Sequence, residues 1–154
     1  MNSFGGVMGK SLITIAAVLL CSTSFAGEPI GNIEQFEHDV TQCISNAPKS
    51  SGCFEDFANK NLLPGNEKLI QVTKQVDGLF GRWLDKDKVF AIHPVSVKST
   101  GDLFQRRTYV IEDTSGNLIV FNYSIIKRLG KWYLLSFDIN SNQAVVEATV
   151  KGDK

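Results

Sequence analysis

From Asn32 onward the apolar residues fall at helical intervals: Ile33, Phe36, Val40, Ile44 and Ala47 lie three or four apart. That spacing predicts an amphipathic helix with one buried stripe, capped at its start by Asn32 and stopped by Pro48. A shorter segment, "CFEDFANKNLL", gathers Phe54, Phe57 and Ala58 before Pro64 and Gly65 break the chain. A third helix is predicted within "NEKLIQVTKQVDGLFGRWL". It places Leu69, Val72, Thr73, Val76, Leu79, Phe80 and Trp83 on one broad face and keeps Lys68, Lys74, Gln75 and Asp77 off it. Phe80 and Trp83 read first as core packing, and Trp83 is also a candidate wall of a ligand pocket.

Beyond "LDKDK" the period changes from helical to alternating. "KVFAIHPVSVK" is β-branched and broken by Pro94, which suits an edge strand or a bulge because proline has no N–H for an interior ladder. "LFQRRTYVIE" and "NLIVFNYSIIK" flank the turn-forming "DTSG", and "KWYLLSFDIN" follows the tight turn "RLG". "AVVEATV" reads as a short further strand before a frayed end. Helices first and antiparallel strands afterwards predict an α+β fold, with the N-terminal helices packed on a curved sheet of about four strands.

The first 26 residues change the picture of where the protein works. Lys10 precedes an uncharged apolar run, Leu12 to Cys21, and small residues close it at Ser24 and Ala26. This is the layout of a secretory signal peptide, too short in its apolar part for the ~20 residues of a membrane span. Cleavage after Ala26 is expected, leaving residues 27–154 as a single domain in the periplasm or outside the cell, with no stable membrane anchor. Leu20 before Cys21 does not resemble the small residue that precedes a lipidated cysteine. The 128 residues that remain carry 15 bases against 16 acids, so no basic field exists to hold nucleic acid. Cys43 and Cys53 are the two cysteines left, and an oxidising compartment favours joining them. Their spacing is not Cys-x-x-Cys, and no further ligands for a metal accompany them.

Three helices, a meander of long strands and the ending "GKWYLLSFDIN" resemble the nuclear transport factor 2-like superfamily, cystatin-like in general shape. The resemblance spans about Ile33 to Asn140. It implies a cone whose sheet curls round a pocket, in domains that serve as cofactor-independent enzymes, ligand binders or assembly modules.

Candidate site residues come from the sheet. Tight turns would set Arg128 opposite Lys131 and Glu112 opposite Asn117. One face would then collect Arg106, Tyr123, Ser136 and Asp138, and the other Arg107, Tyr109 and Asn122. Both faces are apolar enough to need cover, which points to helices on one and a second surface, such as a homodimer partner, on the other. Arg106, Tyr123, Ser136 and Asp138, with Trp83, are the candidate ligand contacts, for a small apolar or anionic ligand or a protein partner. Asp138 or His93 as base, with Tyr109 or Tyr123 as oxyanion donor, would be the parts of a proton-transfer, isomerase or dehydratase site that needs no cofactor. No catalytic motif accompanies them, so the sequence reads as a non-enzymatic binding or assembly domain, with the pocket enzyme as its alternative.

Overall fold

A computed structural model describes residues 27–47 and 52–152. The segment expected to be a signal peptide, which includes Cys21, lies outside them, as do Pro48 and the last two residues. Helices α1 (Ile33–Ser45), α2 (Cys53–Asn61) and α3 (Lys68–Leu84) precede four strands, β1 (Val89–Thr100), β2 (Phe104–Asp113), β3 (Leu118–Arg128) and β4 (Lys131–Asn140), and α4 (Gln143–Lys151) follows. The strands form one open, curved antiparallel meander in the order β1-β2-β3-β4, and the architecture is α+β as expected.

Each helix begins and packs for identifiable reasons. The Asn32 Oδ1 accepts from the Gln35 amide at 2.9 Å, and Phe36, Val40, Cys43 and Ile44 form the buried stripe of α1. A disulfide joins Cys43 to Cys53, with Cα atoms 6.2 Å apart, so the end of α1 is tied to the first residue of α2. Gly52 precedes α2 at φ +88° and has no side chain to cap it. Asp77 of α3 supplies the cap across the helix pair, accepting from the amides of Glu55 at 3.1 Å and Phe54 at 3.4 Å. Burial raises the Asp77 pKa, against the pull of those amides. On α3 the buried face is Leu69, Thr73, Val76, Phe80 and Leu84. Val72 and Leu79, predicted on that face, are exposed, so the stripe is narrower than the sequence suggests.

The three helices cover one face of the sheet with an aromatic core. Phe54 stands at its centre, with ring centroids 5.1 Å from Phe121, 5.2 Å from Phe137 and 5.9 Å from Phe80. Stacked and edge-on contacts of this kind add to the burial of large rings. Trp83 stacks on Phe80 at 5.7 Å at the margin of the core.

The register differs from expectation in two places. Arg128 pairs with Lys131 as predicted, across a two-residue turn in which Leu129 (φ +51°) and Gly130 (φ +76°) both take the left-handed conformation that suits a hairpin. Between β2 and β3, however, Glu112 pairs with Leu118 rather than Asn117. Asp113 causes the shift. Its carboxylate accepts from the amides of Ser115 (2.9 Å) and Asn117 (2.8 Å) and from the Asn117 side chain (2.8 Å), which gathers the loop beneath it. Burial works to raise the Asp113 pKa, but these donors outweigh it and hold the group ionised below its ordinary value.

The second difference is a bulge in β4. Ile125 pairs with Leu134 but Ser124 with Ser136, so Leu135 is an extra residue and the strand changes face there. β1 also bulges, between Pro94 and Ser96, as its proline suggests. The outer edge of β4 is closed by the Ile30 amide bonding to the Trp132 carbonyl (2.8 Å) and the Leu63 amide to that of Leu134 (2.9 Å).

The segment expected as a final strand is helix α4. Asn142 caps it, accepting from the Ala144 amide at 2.9 Å, and the Gln143, Glu147 and Lys151 side chains link at intervals of four. Val146 buries against Val110, Val120 and Leu118, on the sheet face away from the other helices.

Candidate functional site

Alternation and the two register shifts sort the polar residues of the sheet onto two faces. On the face toward α1–α3, Arg107 pairs with Tyr123 and Tyr109 with Phe121. On the face toward α4, Arg106 pairs with Ser124 and Thr108 with Asn122, and these continue to Ser136 and Asp138 on β4. Tyr123 therefore does not share a face with Arg106, Ser136 and Asp138 as expected. Asn122 takes its place in that group. The β2–β3 shift moves Arg106 and the β4 bulge moves Ser136 and Asp138, both to the same side, so those three stay together.

The space between this face and α4 is a cleft of about 770 Å³. Its walls combine apolar surface from Val95, Val120, Ala144, Val145 and Ala148 with Lys98, Arg106, Thr108, Asn122, Asp138 and Asn140. The polar residues are ordered among themselves. The Thr108 hydroxyl donates to the Asn122 Oδ1 at 2.7 Å, and the Asn122 amide donates to the Asp138 Oδ2 at 3.3 Å. Arg106 comes within 3.7 Å of the same oxygen from β2, reaching past the buried Ser124 of the intervening strand. Asn122 is buried, but the side chains of Arg106 (47 % exposed) and Asp138 (59 %) face the open cleft. That pairing is the surface kind, which contributes little stability.

The helix-side polar group is closed instead. Glu37 of α1 accepts hydrogen bonds from both the Arg107 guanidinium and the Tyr109 hydroxyl. Tyr109 and Tyr123 are buried, their rings stacked at 6.2 Å. Burial and the Glu37 hydrogen bond push the Tyr109 pKa up to about 12, and burial pushes Tyr123 up further. The Tyr123 hydroxyl lies near that of Tyr109, whose proton goes to Glu37 and whose oxygen is left as an acceptor, though the pair falls short of normal hydrogen-bond geometry. Burial acts to lower the Arg107 pKa, and the surrounding Tyr123, Glu37 and Tyr109 more than reverse it, so Arg107 is held cationic.

The catalytic candidates are thus dispersed. Asp138 lines the cleft in contact with solvent, while Tyr109 and Tyr123 lie sealed beneath the opposite face. His93 is half-exposed on β1, 3.4 Å from Glu112, and does not line the cleft. Trp83 is a core-margin residue of α3 and likewise takes no part in it. Glu37 and the α4 wall were not anticipated, and Thr108 was placed on the face of Arg106 but given no role. Glu37 adjoins Phe36 in sequence with nothing to mark it, whereas the four-residue spacing of Gln143, Glu147 and Lys151 after Asn142 is a helix signal in the sequence itself. Among the described residues no helix is long and apolar enough to cross a membrane, and no group of three or more His, Cys, Asp or Glu could hold a metal.

No family model matches the chain, and no curated protein matches it. Two solved structures are similar to it. A DUF4783 family protein from Bacteroides uniformis has 9% identity and a TM-score of 0.45, over 73% of this chain and 99% of that one. Another, from Bacteroides ovatus, has 10% identity and a TM-score of 0.41, over 66% and 90%.

Proposed function

We propose that the protein is a non-enzymatic binding domain of the periplasm or cell exterior, of the nuclear transport factor 2-like type, which holds a small, partly apolar ligand between its sheet and α4. The observation that carries this reading is the cleft itself. Its volume of about 770 Å³ falls within the ~300–1,000 Å³ usual for small-molecule sites, and its valine surface is joined by a few convergent polar groups already fixed by Thr108 and Asn122. The Cys43–Cys53 disulfide supports an oxidising compartment.

Binding is favoured over catalysis because the one candidate base at the cleft, Asp138, is solvated and paired, and the phenols that would assist it are on the other side of the sheet. A homodimer through the second sheet face is less needed than the sequence suggested, since α4 covers part of that face. Native mass spectrometry of the exported protein, followed by amide chemical-shift mapping with whatever it carries, tests the reading. A carried small molecule that shifts residues 95–98, 106–108 and 144–152 is the expected result. Shifts confined to other surfaces would overturn it.

A further inference from the structure

We propose that the cleft selects an uncharged amide whose C=O and N–H lie on one edge, a primary carboxamide or a lactam. Its head would sit across Arg106 and Asp138 and its apolar body along Val95, Val120 and Val145. This rests on reading the cleft as a ligand site and adds which head group it takes.

The charges of the lining leave no sign for a ligand to answer. Arg106 pairs with Asp138, and Lys98, the third charged residue of the cleft, has an interaction of its own within the chain. An anion drawn to Arg106 would meet Asp138 beside it, and a cation drawn to Asp138 would meet Arg106. Each gains from one partner and loses to the other. An uncharged head with a negative and a positive end gains from both.

The pair is matched in charge but open in hydrogen bonding. The Arg106 guanidinium stands 3.7 Å from the Asp138 Oδ2, beyond hydrogen-bond reach, and none of its N–H groups finds an acceptor among the described residues. The Asp138 Oδ2 accepts from the Asn122 amide at 3.3 Å, while its Oδ1 accepts nothing among the described residues. Thr108 orients Asn122, and Asn122 in turn orients Asp138, so the acceptor end is fixed. The cleft thus shows a donor-only group beside an acceptor-only group. A primary carboxamide or lactam presents the complement, with C=O toward Arg106 and N–H toward Asp138. An ordinary secondary amide is trans, which turns the two to opposite sides and lets it meet only one of them. The apolar residues of the sheet and of α4 supply surface for the rest of the molecule.

The full exported, disulfide-bonded protein is titrated with octanamide, N-methyloctanamide, octanoate and octylammonium within their solubility limits, by calorimetry and chemical-shift mapping. Octanamide is expected to bind about three- to tenfold more tightly than each of the other three, the margin of one net hydrogen bond. Asp138→Asn should turn the order toward octanoate and Arg106→Met toward octylammonium, because each leaves one charge unopposed. Both side chains are exposed, so neither change should disturb the fold. Octanoate or octylammonium binding the unaltered protein as tightly as octanamide would overturn the uncharged head. N-methyloctanamide doing so would overturn the one-edge geometry. Either result leaves the cleft a ligand site. An order unmoved by both substitutions would overturn the assignment to Arg106 and Asp138. If none of the four shifts cleft residues, the amide proposal fails, and the site reading fails separately if a carried ligand maps elsewhere.

Discussion

Arg106 and Arg107 are neighbours in sequence, and they live in different environments. Arg107 is closed in with Glu37, Tyr109 and Tyr123 between α1 and the sheet. Arg106 faces an open cleft, loosely paired to Asp138. The same contrast runs through Asn122 and Tyr123, and through Val120 and Phe121, because each strand hands alternate residues to opposite faces. One face has its polar groups tied up in holding a helix down, and the other has them displayed beside apolar surface. Polar residues within an apolar sheet are therefore not one population: burial and partners, not residue type, decide which are structural and which are available.

Paired substitutions can break this contrast. The largest effect is expected for Phe121→Ala, which should cost about 3–5 kcal/mol in urea unfolding as a cavity opens beneath Phe54. Val120→Ala, one residue away on the cleft side, should cost only about 1–2 kcal/mol. Equal losses would mean that α4 packs as firmly as the other three helices. Replacing both cysteines with serine should lower stability by about 2–3 kcal/mol, from the loop entropy of a ten-residue separation, without altering ligand binding at the cleft.

A smaller pair of effects separates the two acidic residues. Glu37→Gln leaves the partly buried Arg107 with a weaker partner, and a loss of about 1–3 kcal/mol is expected. Asp138→Asn should stay within about 0.5 kcal/mol and act on ligand selection instead. A separate effect is expected at high pH. Below pH 10 folded and unfolded chains both keep the Tyr109 proton. Between 10 and about 12 the unfolded chain releases it while the buried phenol retains it, so stability falls as pH rises through that window. Tyr109→Phe should reduce this slope in a melting-temperature profile by about half, the equally buried Tyr123 supplying the rest. An unchanged slope would show that Tyr109 is not as enclosed as its contact with Glu37 requires.

Much of the fold was legible because its signals are local. The stripe of α1, its Asn32 cap, the β4 boundaries and the Leu129–Gly130 turn each follow from residues within a few positions of one another. What the sequence hid was relational. Asp113 draws its loop in and moves the β2–β3 register by one, and Leu135 inserts an unpaired residue, and neither leaves a mark on hydrophobic alternation. The α4 segment failed for another reason: Val145, Val146, Thr149 and Val150 favour strands, and the Asn142 cap with packing of Val146 overrode that preference. Arg106, Ser136 and Asp138 were correctly grouped because the two shifts happen to act in the same sense, and Tyr123 was misplaced because it lies on the strand between them.

The Leu135 bulge acts like a reading frame in three dimensions. Upstream of it, alternation assigns Trp132 and Leu134 to the core, and downstream it assigns Phe137 and Ile139 there, with Ser136 and Asp138 outside. Deleting that one residue would join Leu134 directly to Ser136 and keep every cross-strand pair on its present face. Pairing Leu135 with Ser124 in regular register would instead present Phe137 to the cleft and press Asp138 against the aromatic core. The boundary between what is hidden and what is displayed in β4 is written in whether Leu135 is counted in the pairing or left out of it.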